Sequence, residues 1–360
     1  MLDRIVLFPY PAVLAARAAR WRKRSEGTEV PSICVGNVTV GGTGKTPHTE
    51  MILELLQRSD EWGAKNLAML SLGYKRRSKG FQQVTLESSA SFGGDEPLQI
   101  KRKFPAVTVA VDKDRIEGCG FLSHPETLSG SKKARKCRSK EFPAADLIVL
   151  DDAFQFVKLK ADFTVALVDY NRPVFKDSLM PFGSLRDLPS RIKDADAVIV
   201  TKCPYELEDE EKEDWQKRLK LADPSRLFFT TVRYSQLKPL YDCSDTRYIY
   251  SKIAMMFTGI AKDEPLHRHL CDTYKLVGKF SFPDHHSYSI SDFARIKAIV
   301  RSHPAAAIVT TEKDAQRVLD VKKMPQELKN RMFYCPIRAE FLSEEEKERF
   351  SALLLESLSR

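Results

Sequence analysis

Gly36-Asn37-Val38-Thr39-Val40-Gly41-Gly42-Thr43-Gly44-Lys45-Thr46-Pro47 is the stretch on which the reading of this chain turns. It closes on Gly-Lys-Thr, the end of a phosphate-binding loop, where successive backbone N–H groups wrap a triphosphate. In that role Thr39, Val40, Gly41, Gly42, Thr43, Gly44, Lys45 and Thr46 make the nucleotide site. Lys45 reaches the β- and γ-phosphates, and the Thr46 hydroxyl ligates Mg²⁺. Glycine is needed because a Cβ would hold the phosphate off the backbone. The strict pattern puts Gly five residues before Gly44; Thr39 stands there, and Gly41 and Gly42 supply the freedom instead. The flanks agree. Ile33-Cys34-Val35 reads as a short buried strand, and Thr49 to Arg58 carries Met51, Ile52, Leu55 and Leu56 at helical spacing. Strand, glycine loop, helix is the required order; the alternative is a chance glycine-rich turn.

The chain has 360 residues, enough for two domains with real cores. With 42% hydrophobic and 30% charged residues it belongs with folded globular proteins rather than disordered ones. Its net charge of +9 favours anionic partners: a nucleotide, a phosphorylated substrate, anionic lipid or nucleic acid. Seven scattered cysteines contain no C-x-x-C pair, which fits a reducing compartment with neither a structural zinc site nor a disulfide framework. No apolar run is long enough to span a bilayer.

The N-terminus is unusual. Residues 1–11 are apolar and aromatic, and Ala12 to Arg24 reads as a helix ending in Arg17, Arg20, Trp21, Arg22, Lys23 and Arg24. A signal peptide has the opposite order. An apolar face with a basic, Trp-containing end suits a helix lying in a membrane interface, and equally a helix packed on its own domain with cations at its C-terminal end.

Strands and helices alternate, which predicts an α/β fold with a mostly parallel sheet flanked by helices. Candidate strands are Ser32–Val35, Ala68–Ser71, Ala106–Val111, Leu147–Leu150, Phe163–Val168 and Ala197–Thr201, each a short apolar run of the kind covered on both faces. After Phe228–Arg233 the character changes. Ala254–Phe257, Tyr274–Phe280 and Ala307–Thr310 read as strands of a second, smaller α/β unit. The expected division is an N-terminal helix over 1–24, a phosphate-loop domain over 25–234 and a smaller domain over 235–360.

A phosphate-loop enzyme needs a further carboxylate for Mg²⁺ at the end of a neighbouring strand. Asp146-Leu147-Ile148-Val149-Leu150-Asp151-Asp152 places Asp151 and Asp152 at such an edge; alone, the pair could cap a helix. Gly93-Gly94-Asp95-Glu96-Pro97 is a second glycine turn with acids. Asp95 and Glu96 could accept a hydroxyl proton, although Asp95 could instead N-cap the helix that opens at Pro97. Phe282-Pro283-Asp284-His285-His286 could hold a catalytic histidine, a metal ligand or a plain loop. Thr310-Thr311-Glu312-Lys313-Asp314 could line the nucleotide cleft or cap a helix. Lys75-Arg76-Arg77, Arg115 and Arg186 put cations at strand ends, where arginine binds phosphate in bidentate fashion.

Together these residues resemble the tetraacyldisaccharide 4'-kinases, the lipid A kinases. Matching segments in order are Gly36 to Pro47, Ser71 to Tyr74, Gly94 to Pro97, Asp151 to Phe156, Pro181 to Asp187, Phe282 to His286 and Thr310 to Asp314. The resemblance implies ATP-dependent phosphorylation of the 4'-hydroxyl of an acylated glucosamine disaccharide 1-phosphate. It implies two α/β/α domains with the site between them and peripheral attachment to the cytoplasmic face of the inner membrane. Carried over by motif, Asp95 resembles the catalytic base, His285 its partner, and Arg115 and Arg186 substrate-binding arginines. Ala153 and Phe156 stand where the family carries Gly and His. Two other classes fit parts of the pattern: a phosphate-loop ATPase or GTPase acting as a switch or chaperone, and a nucleic-acid-binding protein. The first gives no reason for an apolar N-terminal helix beside a basic rim, and the second lacks any aromatic-basic stripe.

Overall fold

The computed structural model describes residues 9–22 and 24–359. Two sheets organise them. The larger runs in the spatial order β14 (Ile337–Phe341), β8 (Leu227–Tyr234), β7 (Ala197–Thr201), β6 (Phe163–Asp169), β1 (Ser32–Asn37), β5 (Leu147–Asp151), β2 (Leu67–Ser71), β4 (Thr108–Val111) and β3 (Gln82–Val84). Its central strands are parallel; only the edge strands β3 and β14 run antiparallel to their neighbours.

The physical cause of the apolar runs is visible in their packing. Along β1, Ile33 and Val35 point to one face while Cys34 points to the other. Along β5, Leu147 and Val149 alternate with Ile148 and Leu150. Successive strand residues face opposite sides, so a sheet covered on both faces needs an unbroken apolar sequence. One cover comes from the helix Lys45–Arg58 and the helix Asp95–Lys103, through Ile52, Leu53, Leu56 and Leu98. The other comes from Arg115–Ser123 and Asp209–Leu219, through Leu122, Trp215 and Leu219.

The smaller sheet has the order β11 (Lys275–Ser281), β10 (Ile253–Thr258), β12 (Ala307–Thr311), β13 (Met332–Cys335) and β9 (Lys238–Pro239). It too has apolar clusters on both faces, with Met255, Phe257 and Ile308 on one and Ala254, Met256 and Val309 on the other.

A boundary at 235 assigns everything after it to the smaller unit, but residues 337–358 belong to the larger one. β14 pairs with β8 in the register Ile337↔Tyr234 to Phe341↔Thr230. The last helix, Glu344–Leu358, buries Phe350, Leu354 and Leu358 against Phe163 and Phe228. The chain thus leaves the large unit after β8 and comes back beside it, which places two crossing segments at the junction.

The N-terminal helix runs over Pro9–Arg22, beginning three residues before the expected Ala12 because Pro9 and Pro11 are accommodated in its first turn. Leu14 packs against the large core while Val13 is exposed. Leu2, Ile5, Val6, Leu7, Phe8 and Lys23, on which the interfacial reading leans, lie outside the described residues. No helix among the described residues is long and apolar enough to cross a membrane.

Candidate active site

Four helices carry the site, labelled here α1 (Lys45–Arg58), α2 (Asp95–Lys103), α3 (Arg115–Ser123) and α4 (Glu312–Val318). β1 lies between β5 and β6, so chain order reverses there, and α/β sheets bind ligands at such points beyond the strand ends. The loop after β1 occupies that position. Gly41 and Gly44 take φ of 89° and 90°, left-handed values that only glycine adopts freely, and Gly44 leads directly into α1. Lys45 is the first residue of α1, and its Nζ lies 3.7 Å from Asp152 Oδ2.

Asp151 and Asp152 close the adjacent strand and differ in environment. Asp151 is buried and accepts from Ser71 Oγ at 3.2 Å and Thr49 Oγ1 at 3.4 Å. Burial, then the carboxylates of Glu96 and Asp152, push its carboxyl up to about 6. Asp152 has a left-handed backbone with φ of 48°. Burial raises its carboxyl too, but Lys45 and Arg186 together outweigh that and hold it below its ordinary value. Arg186 forms a two-pronged pair with Asp152 and donates to Asn37 Oδ1 at 2.5 Å. Asn37 in turn donates to Thr43 Oγ1 at 2.7 Å, so the loop, the acidic pair and Arg186 are one network.

These residues fit a magnesium ion. The adjoining carboxylates of Asp151 and Asp152, with Glu96 adding to the repulsion on Asp151, mark a place where a cation would relieve charge. Thr46 precedes Thr49 by three residues on α1 and so shares the helix face from which Thr49 reaches Asp151. No group of three His, Cys, Asp or Glu ligands surrounds a common point among the described residues. The other ligands would therefore be hydroxyl, phosphate and water oxygens, as Mg²⁺ prefers.

The second half of the site comes from the smaller unit. His285 Nδ1 lies 3.0 Å from Asp95 Oδ2, joining residues 190 apart in sequence. Lys313 donates to His285 Nε2 at 3.4 Å and to Glu96 at 2.9 Å. With Nε2 accepting, the ring proton sits on Nδ1 and points at Asp95. Arg317 adds a charge 3.6 Å from the same carboxylate oxygen. Burial raises the Asp95 carboxyl, but the hydrogen bond from His285 and the charges of Lys313 and Arg317 win, leaving it below its ordinary value. The helix-cap reading of Asp95 fails: Gly94, with φ of 96°, takes the N-cap position, and Asp95 Oδ1 accepts only the adjacent Glu96 N–H at 3.0 Å. His285 itself has a left-handed φ of 60°, and its N–H is held by Gly259 O at 3.0 Å.

Arg115 is placed differently from an open phosphate ligand. It is buried and donates to the carbonyls of Asp112 at 2.6 Å and Asp151 at 3.1 Å, bracing the end of β5. Arg317 and Asn37 were missed as site residues. Arg317 stands four residues after Lys313 on α4, on the same helix face, and that spacing was the available signal. Phe156, half-buried, and Ala153, buried, line a separate cavity of about 380 Å³ with Cys34, Phe154 and Arg191.

The fold and the site define a phosphate-loop enzyme of two α/β units, with an acid–histidine pair formed across their junction. Residues 4–359 match the family described as Tetraacyldisaccharide-1-P 4'-kinase. The Tetraacyldisaccharide 4'-kinase of Porphyromonas gingivalis is 38% identical over 330 residues, covering 90% of this chain and 87% of that protein. Its namesake in Flavobacterium johnsoniae is 35% identical over 353 residues, covering 96% and 95%. The crystal structure of LpxK from Aquifex aeolicus, described as an "apo" form in complex with ATP, superposes with a TM-score of 0.70 at 25% identity, covering 99% of this chain and all of that one. The chain belongs to the tetraacyldisaccharide 4'-kinase family.

Proposed function

We propose that this protein transfers the γ-phosphoryl group of ATP to the 4'-hydroxyl of an acylated glucosamine disaccharide 1-phosphate, a late step of lipid A biosynthesis. The observation that carries the reading is the Asp95–His285 hydrogen bond of 3.0 Å, formed across the junction of the two units. A switch or chaperone has no use for a tuned carboxylate facing a phosphate loop; a kinase with a hydroxyl acceptor does.

In this reading the loop residues from Thr39 to Thr46 cradle the nucleotide phosphates, and Lys45 lies against the transferring group. Thr46, Asp151 and Asp152 would hold Mg²⁺, which neutralises charge on the phosphate oxygens when bound. Asp95 accepts the hydrogen bond of the acceptor hydroxyl and then its proton. A carboxylate this acidic is a weak base, which suits a loose transition state in which phosphoryl transfer runs ahead of proton transfer. His285 keeps Asp95 ionised and aimed. Arg186, a partly exposed cation of the network, serves the anionic acceptor by its charge, and Arg115 through the field of its buried charge. The N-terminal helix, with Val13 exposed and Arg20 and Arg24 on the surface, seats the enzyme on the cytoplasmic face of the inner membrane. The test is mass spectrometry of the lipid after incubation with ATP, Mg²⁺ and the disaccharide 1-phosphate. A product heavier by one phosphate at the 4' position is expected; ATP turnover without phosphorylated lipid would refute the assignment.

A further inference from the structure

A phosphate loop binds through N–H groups that point inward, and this requires its carbonyls to be held outward. Side chains hold four of them here. Val40 O accepts from Arg172 Nη1 at 3.3 Å, Gly42 O from Lys202 Nζ, Thr43 O from Thr201 Oγ1 at 2.9 Å, and Gly44 O from His48 Nδ1 at 2.7 Å. The first three donors come from the ends of β6 and β7, and Asp169 anchors Lys202 at 2.7 Å and Arg172 at 3.6 Å. The fourth, His48, lies within α1 itself and is fully buried.

The hydrogen bonding of His48 fixes its tautomer. A carbonyl can only accept, so Nδ1 carries the proton given to Gly44 O. On the far side of the ring, Nε2 lies 2.8 Å from Thr230 Oγ1 on β8, also fully buried. The alternative acceptor for that hydroxyl, Val200 O, is 3.5 Å away, so Thr230 donates to Nε2. The ring also packs on the loop: a Cβ added to Gly44 would meet Nδ1 at 3.3 Å.

We infer that His48, oriented by Thr230, is a positioning residue for nucleotide binding: its ring gives the Gly44 carbonyl a second, shorter donor beside the helical His48 N–H at 3.2 Å, and so fixes the peptide between Gly44 and Lys45. Because that peptide is planar and trans, holding the Gly44 carbonyl toward the ring turns the Lys45 N–H the opposite way, into the loop. Neither residue touches the phosphates. The inference rests on the loop being the ATP site, and it adds a role for β8, the strand from which the chain departs to the smaller unit.

The test uses the full chain with Mg²⁺, measuring ATP affinity by calorimetry and KM separately for ATP and lipid. His48→Phe keeps a buried ring without the donor. It should raise Kd and KM for ATP about tenfold, the effect of one buried hydrogen bond lost, with KM for lipid unchanged. His48→Asn, whose side-chain N–H can still reach the Gly44 carbonyl, should stay within about threefold of wild type. Thr230→Val keeps its shape and loses the orienting donor. It should give an intermediate rise alone and none on top of His48→Phe. Wild-type ATP affinity in His48→Phe and Thr230→Val, both with unchanged Tm, would overturn the inference. So would a fall in kcat with both KM values unchanged, since that reports only a smaller folded fraction. Wild-type ATP affinity in Lys45→Ala would overturn the loop assignment itself, and the inference with it.

Discussion

Removing the His285 ring while leaving Asp95 in place separates a tuned carboxylate from a merely buried one. Asp95 is 5% exposed, and burial alone would lift its carboxyl above 3.8. It lies below that value because His285, Lys313 and Arg317 oppose the burial. His285→Ala deletes the first of these and leaves the burial, so the carboxyl moves up. Since the reaction needs Asp95 ionised, the acid limb of kcat/KM moves to higher pH. A depressed folded-state value also means that the pairing stabilises the protein above the unfolded value of 3.8 and ceases to as pH falls through the lower folded value. His285→Ala should therefore lower Tm more at pH 7 than at pH 3.

The rate should change as well. Loss of a positioned proton acceptor costs about 10²- to 10⁴-fold, or about 3–5 kcal/mol of barrier. Asp95→Ala is expected near the upper end of that range. His285→Ala is expected near the lower end, since the charges of Lys313 and Arg317 remain. If the two act on one proton transfer, the double variant falls no further than Asp95→Ala alone. The assay is steady-state kcat/KM at saturating Mg²⁺, from below the ordinary Asp value of 3.8 up to neutral pH, for the wild type, both single variants and the double variant. Losses that multiply, or an acid limb that stays in place in His285→Ala, would refute the reasoning.

Two further outcomes follow from the same geometry. Asp151, pushed up to about 6, must be ionised to hold a cation, so the Mg²⁺ concentration for half-maximal rate should climb as pH falls toward 6. In Asp151→Asn that requirement should be high at every pH; a titration identical to wild type would move the metal elsewhere. Deleting residues 1–24 should weaken binding to anionic vesicles, each lost cation near the surface being worth about 1 kcal/mol, and should leave ATP affinity intact. Equal vesicle binding by the deleted and intact chains would leave the helix as a packing element only.

What the sequence makes legible here is local. The strand–loop–helix around Gly36 to Pro47 and the acidic pair after β5 are each contained in about a dozen residues, and both lie where their patterns put them. The return of residues 337–358 is not local. β14 reads Ile-Arg-Ala-Glu-Phe, a short alternating run that would serve either sheet, and only its pairing with Thr230 to Tyr234 decides. Arg115 shows the same limit. A cation at a strand end predicts a phosphate ligand, but the carbonyls of Asp112 and Asp151 were free to claim it first. Asp95 was ambiguous for a third reason: both a cap and a base open a helix, and the group that distinguishes them lies 190 residues away.

That distance has a chemical meaning. Lys45 and Asp95 are the first residues of α1 and α2, and the two helices are cross-braced: the buried Glu50 on α1 accepts from Gln99 at 2.8 Å and Lys103 at 2.5 Å on α2. The phosphate loop and the carboxylate therefore belong to one body. Everything that makes the carboxylate acidic belongs to the other, since His285, Lys313 and Arg317 follow β11 or lie on α4. The seam is held by Arg102–Gln316 at 2.6 Å and Lys313–Glu96 at 2.9 Å. Separating the units would leave Asp95 with its own unit's charges, among them the repelling carboxylate of Glu96. The lowered carboxyl of Asp95 thus depends on the junction being made, and the same contacts that aim the carboxylate favour its charged form while it is buried.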